Sequence, residues 1–108
     1  MIKCLRPTYA VVDLSAIRHN VESIKKSVGE NVRVMPAVKA DGYGHGAVEV
    51  SKACLSAGAD ILCVSSAEEG IELREAGIDS PILLLGASHY ECIEEIIDYN
   101  FISTICEL

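Results

Sequence analysis

The sequence lacks the features that define several large classes of protein. No apolar run approaches the roughly 20 residues that cross a bilayer, and residues 1–7 lack the apolar core of a signal peptide. Basic residues are few, with 9 lysines and arginines against 16 acidic residues, and the formal net charge is −7. Without a membrane span or a signal peptide, we expect a cytoplasmic protein. Because an acidic surface repels phosphate groups, we expect it to bind neither nucleic acid nor a membrane.

Metal-binding and disulfide patterns are also missing. The 5 cysteines include no CxxC pair and no CxxH pair, which argues against a zinc site, and we expect no bound metal. Cys54 and Cys63 lie in apolar stretches, so we predict that they are buried thiols in a reducing compartment. An odd number of cysteines also disfavours a closed disulfide framework.

What the chain does have is a regular alternation of short apolar runs and helical patterns. Apolar residues recur at helical spacing from Leu14 to Val28, and Gly29 stands where that helix would end. Two pairs have the spacing of capping boxes that begin helices, namely Ser66 with Glu69 and Ser88 with Glu91. The predicted strands cover residues 9–13, 32–38, 61–64, 82–85 and 101–105.

Strands that are apolar on both faces and separated by single helices form parallel sheets, so the fold class is α/β. Two architectures fit the pattern: an open doubly wound sheet and the first half of an eight-stranded barrel. Pro36 is awkward in the second strand, because proline cannot donate to a sheet ladder. The chain of 108 residues ends directly after the fifth predicted strand, with no fifth helix, and we expect its domain to be incomplete.

The segment 38–46, VKADGYGHG, is the unusual part of the chain. Lys39 comes at the carboxyl end of a predicted parallel strand, where ligands bind in both architectures. Its neighbours are small and apolar, and partial desolvation favours a neutral amine, which can attack an aldehyde and form a Schiff base. From chemistry alone, the alternative is a lysine that merely extends from a strand end into solvent.

Three glycines, a tyrosine and a histidine follow Lys39 in this segment. The glycines permit positive φ and close approach to a ligand, but neither GxxxxGK[ST] nor GxGxxG is present, and a plain turn also explains them. Tyr43 could donate a hydrogen bond to a phosphate, or it could simply cover a barrel core. We interpret His45 as a structural, hydrogen-bonded histidine, since the pattern places no carboxylate beside it.

Residues 35–53, MPAVKADGYGHGAVEVSKA, resemble the lysine motif of alanine racemases, which commonly runs AVVKADAYGHG. Gly42 stands where the family commonly has alanine. Two other stretches are similar to family patterns: the opening, with Pro7-Thr8-Tyr9-Ala10, Asp13-Leu14 and Asn20, and the fourth strand, Ile82-Leu83-Leu84-Leu85-Gly86. The resemblance therefore extends over essentially the whole chain.

This resemblance implies that residues 1–108 are the N-terminal half of a (β/α)8 TIM barrel, with five parallel strands alternating with four helices. It implies pyridoxal 5'-phosphate as cofactor, and a homodimer that interconverts L-alanine and D-alanine and supplies D-alanine for peptidoglycan. Lys39 would bind the cofactor covalently and exchange the α-proton on one face of the amino-acid substrate. Tyr43 matches the family tyrosine whose hydroxyl reaches the cofactor phosphate, and Leu85 would line the cofactor ring.

The resemblance also implies that part of the machinery lies outside this sequence. In the family, later barrel strands supply the arginine that faces the pyridine nitrogen and most phosphate ligands, and a partner subunit's C-terminal β domain supplies the second base. We therefore expect the 108-residue chain alone to be inactive.

Three alternatives remain at this point. One is a racemase for another small amino acid such as serine, and another is a non-catalytic carrier of the same cofactor on the same barrel, although carriers lack the YGHG that follows the lysine here. A receiver-like signalling domain is disfavoured, because Asp13 stands alone after the first strand and the third strand ends in Val64-Ser65-Ser66, without an aspartate.

Overall fold

The computed structural model describes residues 6–107. Along the chain it contains helices α1 (Leu14–Val28), α2 (Lys39–Tyr43) and α3 (Ala47–Ser56), strand β1 (Leu62–Val64), helix α4 (Ala67–Glu75), strand β2 (Ile82–Ala87), a 3-10 turn (Tyr90–Cys92), helix α5 (Ile93–Asp98) and strand β3 (Ile102–Thr104). From α3 onward, helices and strands alternate as the sequence predicts. None of the helices in the described part of the chain is long and apolar enough to cross a membrane.

The three strands form one parallel sheet in the order β1-β2-β3. The register between β1 and β2 is continuous, whereas the register between β2 and β3 shifts between Leu83 and Ala87. A doubly wound sheet would reverse its strand order at a switch point, while a barrel keeps neighbouring strands in chain order. The sequential order therefore confirms the half-barrel interpretation over the doubly wound one.

The strand predicted over residues 32–38 forms only part of a ladder. Its one bridge joins Ala37 to Cys63 in β1, in the parallel sense. Pro36 O accepts a hydrogen bond from Cys63 N at 3.1 Å, and Val38 N donates to Cys63 O at 2.9 Å. Because Pro36 has no N–H to donate, the ladder stays irregular, but the segment still runs alongside β1 up to the residue before Lys39.

Asp60 anchors the beginning of that segment. Its Oδ2 atom accepts a hydrogen bond from Lys25 Nζ in α1 at 2.6 Å and another from Val34 N at 2.8 Å. The Lys25 ammonium, and then the Val34 N–H, hold the pKa of the Asp60 carboxyl below its usual range. One carboxylate thus ties the end of α1 to the segment that leads to Lys39.

The strand predicted over Tyr9–Asp13 is not formed, so the prediction of five strands is wrong for the described residues. Val11 is 80% exposed, and residues 9–12 join no bridge or ladder within residues 6–107. A strand is stabilised by ladder hydrogen bonds and by burial of one face, and this segment gains neither from the described residues. Asp13 instead caps α1, accepting hydrogen bonds from Ser15 N and Ala16 N at 2.9 and 3.2 Å.

The helix-facing side of the sheet contains the core. The side chains of Leu62, Val64, Ile82 and Leu84 are fully buried in one cluster with residues from α1, α3 and α4, such as Leu73. Neighbouring parallel strands joined by right-handed crossovers place their helices on the same side of the sheet, as in a barrel wall. Alternate residues, among them Leu83 and Leu85, face the other way and are less buried.

Cys54 and Cys63 are buried free thiols, as the sequence predicts. Burial raises the pKa of the Cys54 thiol. Burial also raises the pKa of the Cys63 thiol, although the positive charge of nearby Lys39 opposes that rise. Both thiols are therefore held in the unreactive protonated form.

Candidate active site

Lys39 lies at the carboxyl edge of the sheet. It follows Val38, which is 1% exposed and bonded through its N–H to β1. Ala37 pairs with Cys63, and Cys63 pairs with Leu83 in β2. This pairing stops before Lys39, because Val38 has ψ of 20° and the backbone leaves the extended conformation there.

The Lys39 side chain is half-buried and has no structural partner in the described part of the chain. Among residues 6–107, none forms a hydrogen bond or salt bridge with its Nζ atom. The amine is therefore not engaged by the described residues and is free to contact a ligand.

The backbone turns left-handed directly after Lys39. Ala40, Asp41 and Gly42 have φ of 50°, 54° and 62°, and Tyr43 has φ of 54°. Left-handed backbone costs an L-residue roughly 1–2 kcal/mol, so consecutive non-glycine residues adopt it only where surrounding contacts hold them. Residues 39–46, which we call the lysine loop, are therefore a strained segment next to the Lys39 amine.

Hydrogen bonds to Asp41 hold the far end of the lysine loop. Asp41 O accepts from Gly46 N at 2.9 Å, and Asp41 Oδ1 accepts from Ala47 N, the first residue of α3, at 2.8 Å. At the near end, Gly42 N donates to Val38 O at 2.9 Å. The turn is thus tied to the segment before it and to the helix after it.

Glu69, in the first turn of α4, joins the lysine loop to β1. Its Oε2 atom accepts a hydrogen bond from Ala40 N at 2.7 Å, and its Oε1 atom accepts one from Ser65 N at 2.6 Å. Ser65 O in turn accepts from Gly86 N at 3.2 Å, just past Leu85. Three neighbouring strand ends are therefore linked side by side.

The sequence pattern predicts Glu69 in a capping box with Ser66. Ser66 is the N-cap of α4, but neither side-chain bond of a capping box forms, because Glu69 reaches Ser65 N and Ala40 N instead. The second predicted box is also wrong, since a 3-10 turn with N-cap His89 forms there. The spacing from Ser66 singles out Glu69 as a residue that binds a backbone N–H, but spacing does not predict that this N–H belongs to Ala40 in the lysine loop.

Tyr43 and Leu85 are both accessible at this edge. Tyr43 is 60% exposed, and its hydroxyl forms no hydrogen bond with the described residues. Leu85 is 41% exposed, at the end of β2. His45 Nδ1 lies 3.3 Å from Tyr43 O, in agreement with the structural, hydrogen-bonded role expected for this histidine.

A family model described as the N-terminal domain of alanine racemase matches residues 12–108. The chain belongs to this family. Among curated relatives, it is 46% identical over 100 residues to alanine racemase 2 of Oceanobacillus iheyensis, covering 93% of this chain and 26% of that protein.

Solved structures of alanine racemases have the same fold. The alanine racemase of Clostridium difficile 630 matches with a TM-score of 0.89 at 41% identity, over 95% of this chain and 27% of that one. The Bacillus anthracis enzyme with bound L-Ala-P matches with a TM-score of 0.85 at 38% identity, over 93% of this chain and 27% of that one. The chain thus spans about a quarter of the length of these relatives.

Proposed function

We propose that this chain forms the cofactor-binding N-terminal part of an alanine racemase, an enzyme that uses pyridoxal 5'-phosphate to interconvert L-alanine and D-alanine. The observation that carries the proposal is Lys39, a half-buried amine without a partner in residues 6–107, at the carboxyl edge of a parallel sheet. The family to which the chain belongs, and the relatives named alanine racemase, support it.

The groups at this edge suit pyridoxal phosphate. To form a Schiff base with a carbonyl compound, an amine must not be bound to a carboxylate. Lys39 forms no salt bridge within the described residues. A phosphate requires hydrogen-bond donors, and the unpaired, exposed hydroxyl of Tyr43 is one. An aromatic ring requires an apolar surface, and Leu85, 41% exposed in β2, offers one.

In this proposal Lys39 has two roles. Its amine would hold the cofactor covalently and, with the amino acid bound, would remove the α-proton from one enantiomer or deliver the proton that forms that enantiomer, always on one face, while the base for the opposite face would come from outside this chain. The cofactor, when bound, supplies an electron sink that makes this proton acidic. Both roles need the amine to point in one direction, and the bonded lysine loop supplies that constraint.

Other parts of the proposal concern the whole protein. The barrel is completed by later strands, the enzyme acts as a homodimer in the cytoplasm, and its D-alanine serves peptidoglycan synthesis. The similarity to full-length alanine racemases, of which this chain spans about a quarter, supports these points. Alanine is proposed as the substrate in preference to serine because the matched relatives carry the name alanine racemase.

Replacement of the lysine tests the proposal. In the protein that carries this chain, Lys39→Ala is expected to abolish racemisation of L-alanine and the visible absorbance band of the covalently bound cofactor. The matched control is Lys52→Ala, which removes an exposed lysine of α3 and should change neither.

Borohydride reduction followed by peptide mass spectrometry locates the modified lysine. An adduct at Lys39 in the wild type and none in Lys39→Ala is the expected pattern. An adduct retained at another lysine would overturn the assignment of Lys39. An adduct at Lys39 without any racemisation in the full protein would instead favour the non-catalytic carrier.

A further inference from the structure

The lysine loop begins with a backbone N–H that has no partner within the loop. In a left-handed turn that opens at Ala40, the N–H of this residue lies outside the loop's internal hydrogen bonds, which are donated by Gly44, His45 and Gly46. Ala40 is exposed, so water can also accept from its N–H, but a strained residue is held in place only by a fixed partner. The partner of Ala40 N is the Glu69 carboxylate, 2.7 Å away and 29 positions later in the chain.

The carboxylate of Glu69 is suited to hold two backbone groups at once. Each of its oxygens accepts one hydrogen bond, Oε2 from Ala40 N and Oε1 from Ser65 N. An ionised carboxylate has two accepting oxygens, whereas an amide has one, so a glutamate satisfies both donors and a glutamine does not. Its place in the first turn of α4 also favours a negative charge, because the helix dipole is positive there.

The part of the fold that carries Glu69 is tightly packed. α4 packs on the fully buried core through Leu73, and Ser65 follows directly on Val64, which is also fully buried. Ser65 O is bonded to Gly86 N, so the Glu69 contact fixes the lysine loop relative to the ends of both β1 and β2. A displacement of Ala40 would change the direction of the preceding side chain, which is that of Lys39.

We propose that Glu69 is a positioning residue for Lys39, which acts by clamping Ala40 N to Ser65 N and so fixes the direction of the lysine amine. The inference rests on the proposed function for its consequence in catalysis, but the clamp itself is independent of the cofactor. Glu69 forms no hydrogen bond or salt bridge with the Lys39 amine, and its two bonds are to the backbone N–H groups of Ala40 and Ser65.

The test uses Glu69→Gln in the protein that carries this chain, with Glu72→Gln as the matched control. Glu72 lies on the same helix, is exposed, and forms no side-chain hydrogen bond with the described residues, so the control removes the same charge without breaking the clamp. Glu69→Ala, which removes both acceptors, is the second variant and should show a larger effect than Glu69→Gln.

The first readout needs no cofactor. Hydrogen exchange of the cofactor-free protein should become about tenfold faster or more at both Ala40 and Ser65 in Glu69→Ala, which loses both charge-assisted hydrogen bonds, and at one or both of these residues in Glu69→Gln, with β2 unchanged. The rate at which trinitrobenzenesulfonate labels Lys39, followed by mass spectrometry, should change in the Glu69 variants and not in Glu72→Gln. Unchanged exchange at Ala40 in Glu69→Ala would overturn the clamp.

The second readout separates a positioning role from a structural one. With pyridoxal phosphate, Glu69→Gln should lower kcat by about tenfold while KM changes less than about threefold, and should slow formation of the Lys39 adduct. Faster exchange with wild-type labelling, kcat and adduct rate would show that Glu69 is merely structural. If the wild type forms no adduct, the proposed function fails, and exchange and labelling still decide whether Glu69 positions Lys39.

Discussion

The helix-facing side of the sheet and the lysine loop are held in place by different forces. Leu62, Val64, Ile82 and Leu84 are fully buried apolar side chains in a continuous register, and they stabilise the fold by packing. The lysine loop is half-exposed, adopts left-handed backbone at three non-glycine residues, and is held by hydrogen bonds to its own Asp41 and to Glu69 of α4. The packed core and the proposed reactive site therefore lie in adjacent but separate regions.

Because different forces hold the two regions, substitutions in each region should have different effects. Substitutions in the core should lower the free energy of unfolding and leave the chemistry of Lys39 unchanged in the folded fraction. Substitutions of exposed loop side chains should do the reverse. A substitution at the contact between the two regions should show how far they are independent.

The largest expected effect on stability is that of Leu84→Ala. Leu84 is fully buried on the helix-facing side, so truncation leaves a cavity, and the free energy of unfolding should fall by about 2–5 kcal/mol. Denaturant unfolding of the protein that carries this chain measures the loss. Leu85→Ala is the matched control, because it removes the same atoms from the next residue, which is 41% exposed, and it should cost distinctly less. Equal losses would mean that the two faces of the sheet are not distinct.

Tyr43→Phe should give the opposite pattern. Its hydroxyl forms no hydrogen bond with residues 6–107, so its removal should leave the unfolding midpoint unchanged. If the hydroxyl binds the cofactor phosphate, the dissociation constant of pyridoxal phosphate should rise by roughly ten- to a hundredfold, since a hydrogen bond to a charged group contributes about 1.5–3 kcal/mol.

Equilibrium dialysis measures that constant. Tyr90→Phe, at an 89% exposed tyrosine before α5, controls for loss of a hydroxyl and should leave the affinity unchanged. An unaltered affinity in Tyr43→Phe would show that Tyr43 only covers the sheet edge.

The parts of the fold that the sequence predicts are those with local causes. α1 begins after Asp13 and ends before Gly29, as expected, because capping groups and helical periodicity act within a few residues. β1, β2 and β3 lie within the predicted apolar runs or extend one of them by two residues. The lysine motif likewise places Lys39 at a strand end from sequence alone, because the motif and the apolar run before it are contiguous.

The parts that the sequence does not predict depend on distant partners. The segment Tyr9–Asp13 has strand composition, but a strand forms only where a neighbour pairs with it. Spacing pairs Glu69 with its neighbour Ser66, whereas its partner Ala40 is 29 positions away. The glycines of the lysine loop indicate a turn, but positive φ at Ala40, Asp41 and Tyr43 follows from tertiary contacts and not from composition.

Gly42 lies where the core and the lysine loop meet, and its substitution should have the smallest effect. It is buried, with φ of 62°, and a methyl group there would lie 3.4 Å from Ala47 N and 3.6 Å from Val50 Cγ2, which are near-normal contact distances. Gly42→Ala therefore meets little steric obstruction. Left-handed backbone costs alanine roughly 1–2 kcal/mol, but alanine also restricts the unfolded chain, which returns about 0.4–1 kcal/mol.

The net expectation for Gly42→Ala is a loss of about 1 kcal/mol in the free energy of unfolding, with the affinity for pyridoxal phosphate unchanged. The resemblance to family members that commonly have alanine at this position agrees with a small cost. Gly77→Ala is the control, since Gly77 has φ of 85°, a methyl group added there would meet nothing within 4 Å, and the residue lies far along the chain from the lysine loop. It should show the same backbone cost without the contacts. A loss well above that of Gly77→Ala, together with weaker cofactor binding, would mean that the core and the loop are coupled through Gly42, and that packing against α3 helps to set the direction of Lys39.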